Sequence, residues 1–302
     1  VFRLFVIIII AWWMLSSCAP HSFFVNEAGV LWACGRNGQG QLGIQDLSNK
    51  SRPTAVPWPG QRVVMAALGR RHSVLLDETG TAWMAGGFSG FKGFYQVRGI
   101  PIIEAIAAGD RHTVALDPQG ALWSISQRPR SADGPAGVEF KISIIEGFPK
   151  VRRVACGGFF TIAEADDGGL WVLGSNDSGQ FGLGDTADRQ HPTLHPSLDL
   201  VAPLRAISAG GNFILLVDNN GDAWTAGDNG KGQLGRNQGP GDQFGRVEVP
   251  ELLTAVAGFT FALGLAMDGQ VWLWGALQST GYHSPSDSPI PRALPLTEPA
   301  RE

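Results

Sequence analysis

This chain of 302 residues has little of what most chemistries require. Its three cysteines, Cys18, Cys34 and Cys156, have neither metal-ligand spacing nor the pattern of a disulfide framework. Charged residues make up 17% of the chain, the formal net charge is −4, and no run of Lys or Arg occurs. The electrostatic footprint of a phosphate-backbone binder is therefore missing, and nucleic acid is disfavoured as a partner. Nothing reads as a long amphipathic helix. No nucleophile elbow and no paired acid and base can be placed, so catalytic, cofactor-binding and metal-ligating residues are all left unassigned. What is plentiful is glycine. The 41 Gly and 19 Pro make about a fifth of the chain, against about 12% in ordinary domains, while 44% apolar residues supply a substantial core and exclude disorder.

The glycines fall into a pattern. Trp32, Trp83, Trp123, Trp171, Trp224 and Trp272 follow one another at intervals of 51, 40, 48, 53 and 48 residues. Each is preceded at three residues by a glycine: Gly29, Gly80, Gly120, Gly168, Gly221 and Gly269. Five are followed at three residues by another, namely Gly35, Gly86, Gly174, Gly227 and Gly275, with Ser126 the departure. A period near 50 residues is the mark of a repeat architecture. The repeats leave no linker between them, so the chain reads as one domain despite its length.

Within a unit the physics is that of a hairpin. In the segment from Ser73 to Trp83, two β-compatible runs flank Asp77-Glu-Thr-Gly80, where Asp can cap its own turn and Gly can take the positive φ that closes it. Asn26, Asp77, Asp117 and Asp218 hold the position six before the Trp. Upstream lies another apolar strand ending in glycine, as at Gly69, Gly109 and Gly210. Several short strands per 50 residues, punctuated by Gly, Pro and Asn, suit a four-stranded blade.

These residues resemble a family. An apolar strand ending in Gly, then His-Ser or His-Thr, the Asp-x-x-Gly hairpin, the Trp, and Gly-x-Asn-x-x-Gly-Gln-Leu-Gly together are similar to the regulator of chromosome condensation repeat. The last element is legible at Gly35–Gly43, Gly174–Gly182 and Gly227–Gly235, and the resemblance covers about residues 12–296. It implies an all-β fold, a β-propeller with six visible repeats, seven-bladed if the chain is a fragment. The units around Trp83, Trp123 and Trp272 lack the Asn and Gly-Gln-Leu-Gly portion, which leaves their outer strands and loops undefined. Pro289–Leu296 resembles the segment that would lead into another unit.

Residues 1–18 carry a separate signal. Arg3, an apolar run from Leu4 to Leu15 and Ser16-Ser17-Cys18 have the parts of an export leader or lipoprotein box. The competing reading makes Trp12–Leu15 the first strand of the first unit. Residues 19–302 form the propeller under either reading. A membrane enters only through residues 1–18, and the compartment follows from them: exported or anchored if they are a leader, cytoplasmic or nuclear otherwise.

Several apparent motifs dissolve into the repeat. Gly38–Gly43 and Gly230–Gly235 match the dinucleotide fingerprint, which needs a helix starting at the loop, whereas polar turn residues and Pro53 follow here. His21, His72 and His112 lie eleven before a Trp, and Phe160, Phe213 and Phe261 fill that slot in the other units, so the position calls for a bulky ring near the blade core. His191-Pro-Thr-Leu-His195 reads as a solvated loop.

Some relatives absorb ultraviolet light through Trp at the residue following the strand-ending Gly. Here that slot holds Arg70, Asp110, Gly158, Gly211 and Phe259, which excludes that mechanism. Equivalent slots of a closed repeat should meet on one face near the channel mouth. Arg70, Arg71, Asp110, Arg111, Phe159, Asn212, Phe259 and Thr260 are accordingly the candidate interaction rim. The expected function is a non-enzymatic scaffold that binds a protein through its loop face. The alternatives are guanine-nucleotide exchange on a small GTPase, which the resemblance implies although no exchange wedge is recognisable, and an exported or lipid-anchored recognition protein.

Overall fold

A computed structural model of the chain describes residues 21–26, 29–87, 92–129, 138–196, 203–276 and 288–294. The leader or first strand expected before His21 lies outside them. Every described regular element is a β-strand. The strands form six antiparallel sheets, one per Trp repeat, and this is the six-bladed β-propeller architecture; no seventh blade occurs among the described residues.

The first blade comprises His21–Val25, Leu31–Gly35 and Lys50–Ala55. The second comprises Val63–Leu68, His72–Asp77, Ala82–Gly86 and Tyr95–Gln96. The third comprises Ala105–Ala108, Thr113–Leu116, Leu122–Pro129 and Val138–Ile144. The fourth comprises Val151–Cys156, Phe160–Ala165, Leu170–Gly174 and Arg189–Leu194. The fifth comprises Leu204–Ala209, Phe213–Asp218, Ala223–Gly227 and Gly245–Val247, and the sixth Leu252–Ala257, Phe261–Ala266, Val271–Gly275 and Ser288–Ala293. Two compact units contain these sheets. One holds residues 1–175 and 188–195, with the first four blades; the other holds 176–187 and 196–302, with the last two.

The hairpin expected at each Trp is present six times. The amide of Gly29, Gly80, Gly120, Gly168, Gly221 or Gly269 donates to the carbonyl three residues back at 2.9–3.0 Å, and all six glycines have φ between 77° and 88°. That left-handed conformation disfavours side chains with a Cβ, which is why the position never varies. The glycine after the Trp has a different duty. Gly35, Gly86, Gly174, Gly227 and Gly275 each pair with the ring-slot residue of the preceding strand (His21, His72, Phe160, Phe213, Phe261) and each ends its own strand. Blade three has Ser126 there. Its third strand runs on to Pro129 and pairs without a break from Trp123↔Ile144 to Pro129↔Val138.

The repeated Trp residues are half-buried in all six blades, flanked by residues that are mostly fully buried, such as Ala82 and Met84 around Trp83. Among the described residues the fully buried indole is Trp274, two residues beyond the sixth repeat Trp, and its Nε1 donates to the Gln233 carbonyl at 3.0 Å. Apolar clusters sit between consecutive blades: one joins Phe23, Leu31 and Leu42 to Val63 and Leu75, and another joins Phe213 and Leu234 to Leu252 and Trp274.

One expectation needs correction. His191–His195 is not a loop, because residues 191–194 belong to the outermost strand of blade four; Pro289–Ala293 lies in the outermost strand of blade six, the place that Lys50–Ala55 holds in blade one. Proline is tolerated in both since an edge strand has donors to spare. The undefined outer strands turn out unequal, two residues in blade two against seven in blade three.

Candidate functional site

The rim grows out of a four-residue turn repeated between the first and second strands. The amides of Gly69, Gly109, Gly157, Gly210 and Gly258 donate to the carbonyls of His72, His112, Phe160, Phe213 and Phe261 at 2.7–3.0 Å. The two central residues of each turn are the rim pairs: Arg70-Arg71, Asp110-Arg111, Gly158-Phe159, Gly211-Asn212 and Phe259-Thr260. Glycine opens the turn because the ring three residues on folds over it. A Cβ on Gly109 would lie 2.6 Å from His112 Nδ1, and one on Gly258 would lie 2.6 Å from Phe261 Cδ1.

The two residues of a pair face different ways. The first is turned to the neighbouring blade within its unit: Asp110 N donates to Gly158 O at 2.9 Å, and Gly211 N to Phe259 O at 3.2 Å. The second points to solvent at Arg71, Arg111, Phe159 and Asn212. Adjacency of equivalent slots is thus present inside each unit. Asp110 is not an exposed rim residue. It is 5% exposed, with Arg70 Nη1 3.6 Å from its Oδ2. Burial pushes its carboxyl up, against the pull of Arg70, Arg111 and Arg71. One guanidinium, that of Arg70, thus lies against a buried carboxylate, with exposed Arg71 and Arg111 in the same turns and Phe159, 56% exposed, in the next one. In the second unit Asn212 is exposed, while Phe259 and Thr260 are half-buried and the Thr260 hydroxyl donates to Ala276 O at 2.7 Å.

Beneath the turns of the first unit runs a ladder that the dipeptides His-Ser and His-Thr signal. His21 Nε2 meets Ser73 Oγ at 2.6 Å, His72 Nε2 meets Thr113 Oγ1 at 2.9 Å, and His112 Nε2 lies 3.4 Å from Thr161 Oγ1. Ser73 spends its proton on Gln41 O at 2.7 Å, so its oxygen accepts from His21 and fixes that imidazole as the Nε2–H tautomer. His21 Nδ1 is then a lone pair with no donor. Burial, helped by the His72 charge, lowers the His21 pKa to about 3. Burial and His112 lower His72 to about 4, and burial lowers His112, whose ring is less enclosed. Among the described residues no group of three or more His, Cys, Asp or Glu could hold a metal ion.

The Gly-Gln-Leu-Gly loops are plugs between blades, not phosphate cradles. In Asn37–Gly43, Asn37 Oδ1 accepts from Leu42 N at 2.9 Å and Asn37 Nδ2 donates to Asp46 O at 2.7 Å, while Leu42 is fully buried. Asn176 with Phe181 and Asn229 with Leu234 repeat the bracing. The loops are tight glycine turns with no helix following, so the N-terminal amides that would receive a phosphate are not formed.

The comparisons with known proteins agree with this geometry. The family model described as "Regulator of chromosome condensation (RCC1) repeat" matches residues 28–76 and 167–217, and a second model of the same description matches 204–233. The chain carries regulator of chromosome condensation repeats. It is 40% identical over 70 residues to the zebrafish (Danio rerio) protein RCC2 homolog, a stretch that is 23% of this chain and 14% of that protein. It is 30% identical over 159 residues to the bovine (Bos taurus) secretion-regulating guanine nucleotide exchange factor, 50% of this chain and 33% of that one. The chain therefore spans a minor part of the length of these curated relatives. The Saccharomyces cerevisiae Prp20p structure superposes with a TM-score of 0.77 at 20% identity, covering 90% of this chain and 74% of that one, a likeness of fold. The RCC1-repeat matches include the plugs at Gly35–Gly43 and Gly174–Gly182, and miss the whole of the third unit.

Proposed function

We propose that this chain is a non-enzymatic propeller that binds an acidic protein surface through the rim of its first unit. The observation that carries the reading is the set of Arg70, Arg71 and Arg111 in the turns about Asp110, with exposed Phe159 in the next turn. One carboxylate offsets only part of three positive charges. The patch is thus cationic on a chain whose net charge is −4, and an exposed aromatic next to arginines is the composition of a binding hot spot. Rim charges govern encounter more than folding, so the effect should show in association rate and salt dependence. The Prp20p structure's title names binding to Gsp1p and histones as properties of that protein. A cationic patch fits an acidic surface better than a basic histone.

The exchange reading draws on two observations. The bovine relative is named an exchange factor, and blade three carries a hairpin that outgrows its counterparts, with strands of eight and seven residues. Its tip, 130–137, lies outside the described residues. One assay separates the readings. Purified small GTPases loaded with fluorescent GDP are titrated with the chain and with R71E/R111E. Binding weakened at least tenfold in the variant, with nucleotide release unchanged, is the expected outcome. Nucleotide release accelerated by substoichiometric chain would make it an exchange factor. Equal binding by both proteins would remove the rim from the account.

A further inference from the structure

The plugs of blades one, four and five follow one rule, and blade three, one of the units without that loop, departs from it. The plug Gln of one blade seats over the strand-ending glycine of the next. A Cβ on Gly86 would lie 2.8 Å from Gln41 Cα; on Gly227, 3.0 Å from Gln180 Cβ; on Gly275, 3.1 Å from Gln233 Cα. The equivalent on Gly174 meets only its own blade, its three nearest atoms all belonging to Phe159 and Phe160. The cause is in the sequence: with Ser126 in place of glycine, the third strand of blade three continues into its hairpin instead of turning into a plug.

An open cavity of about 550 Å³ lies where that plug would be, within the first unit. Its lining includes His112, Ser124, Glu146, Phe159, Thr161 and Gly174. Two of these depart from the repeat in a consistent direction. The residue after the Trp is fully buried at Ala33, Met84, Val172, Thr225 and Leu273, yet at Ser124 it is polar and half-exposed. Gly174, like Gly35, is half-exposed, whereas Gly86, Gly227 and Gly275, each under a plug Gln, are buried. Thr161 holds the position of Ser73, whose hydroxyl donates to the plug carbonyl of Gln41; the Thr161 hydroxyl has only His112 Nε2 at 3.4 Å and Cys156 Sγ at 3.7 Å. The donor remains and the plug is gone.

We infer that this cavity between blades three and four is a docking site for a polypeptide loop of a partner protein, one that supplies a backbone carbonyl to Thr161 and a single Leu- or Phe-sized side chain to the gap. The chain's own plugs define that occupant: the first brings the Gln41 carbonyl to the Ser73 hydroxyl, and each brings one buried apolar residue, Leu42, Phe181 or Leu234. A cavity of several hundred Å³ with a few placed polar groups is the size and character of a specific site. The inference deepens the protein-binding reading and rests on it for the ligand being a polypeptide.

The probe is a head-to-tail cyclised peptide of residues 36–47, the loop that Asn37 braces in this chain; cyclisation removes most of its ordering entropy. Titrated to millimolar into isotopically labelled protein, it should shift the resonances of His112, Ser124, Thr161 and Gly174. Ser124→Phe, which fills the gap, should abolish the shifts. Thr161→Val, which keeps the volume and removes the donor, should weaken binding about tenfold even if Ser124→Phe perturbs the fold, and replacing the peptide's leucine by alanine should do the same. R71E/R111E should bind the peptide like the unaltered chain. Silent resonances, or binding lost in R71E/R111E and kept in Ser124→Phe, would overturn the inference. A partner captured by Ser124→Phe and lost by R71E/R111E would overturn it while upholding the rim; a partner lost by Ser124→Phe and kept by R71E/R111E would fell the rim alone, and one that neither variant loses would overturn both.

Discussion

Single residues decide two properties here, the satisfaction of the repeat Trp and the response to acid. Asp77 receives Trp83 Nε1 at 2.9 Å, Thr79 N at 3.0 Å, Thr79 Oγ1 at 2.5 Å and Thr81 N at 3.2 Å. Asp117 and Asp218 hold Trp123 and Trp224 in the same way. Ala165 and Ala266 stand at that position in blades four and six, and there the indole N–H of Trp171 and Trp272 has no partner. Asp77→Ala should therefore cost about 2–3 kcal/mol in chemical denaturation, the scale for losing charge-assisted hydrogen bonds. Ala165→Asp should recover about 1 kcal/mol in blade four. Burial pushes the Asp77 carboxyl up, but the bonds from Thr79, Trp83 and Thr81 outweigh it and hold it below the usual range. Its contribution is complete above the unfolded carboxylate value and is lost as the pH falls through and below it.

The histidine ladder gives a second, higher window. His21 and His72, lowered to about 3 and about 4, stay neutral when folded and take protons when unfolded below about pH 6.5. The unfolded chain then binds more protons, so stability falls as pH drops from about 6.5 toward 4, by about 1.4 kcal/mol per pH unit for each histidine. Phenylalanine fills this slot at 160 and 213, fully buried. His72→Phe should accordingly fold and should remove about one proton from the slope of unfolding free energy between pH 4.5 and 6. An unchanged slope would mean that the ladder does not set the acid response.

Elements show which parts of the fold are legible. The hairpins, the strand-ending glycines and the plugs could be read because each depends on a backbone conformation or close approach that only one residue type allows. The fourth strands were not legible: Arg189–Leu194 and Ser288–Ala293 carry prolines and exposed side chains, and an edge strand held by one neighbour imposes little pattern on its sequence. The turns that carry the proposed rim residues are legible, but nothing in Asp110-Arg111 says which central residue of a turn faces the next blade and is buried. The cavity was hidden, because it is the lack of a loop whose neighbours look ordinary. Burial also ranks the tryptophans. Trp274→Ala should cost about 3–5 kcal/mol, the range for a fully buried aromatic, whereas Trp171→Ala, half-buried and with an unpaired N–H, should cost clearly less. Equal costs would show that the half-exposed indoles hold the blades as firmly as the buried one.

Across the whole molecule, scaffold and proposed recognition surface are carried by different residues. Repeat glycines and interblade clusters hold the blades, while the rim turns and the blade-three hairpin differ from unit to unit. Function should then be alterable without loss of fold. The direct test is affinity capture from the source cells with the chain and with R71E/R111E at matched expression, alongside thermal unfolding of both. Exposed loop charges contribute little to folding, so the melting temperatures should agree within about 2 °C while the proteins captured by the unaltered chain fall at least tenfold with the variant. Identical captured proteins at identical yield from two equally stable chains would contradict the rim as the recognition surface.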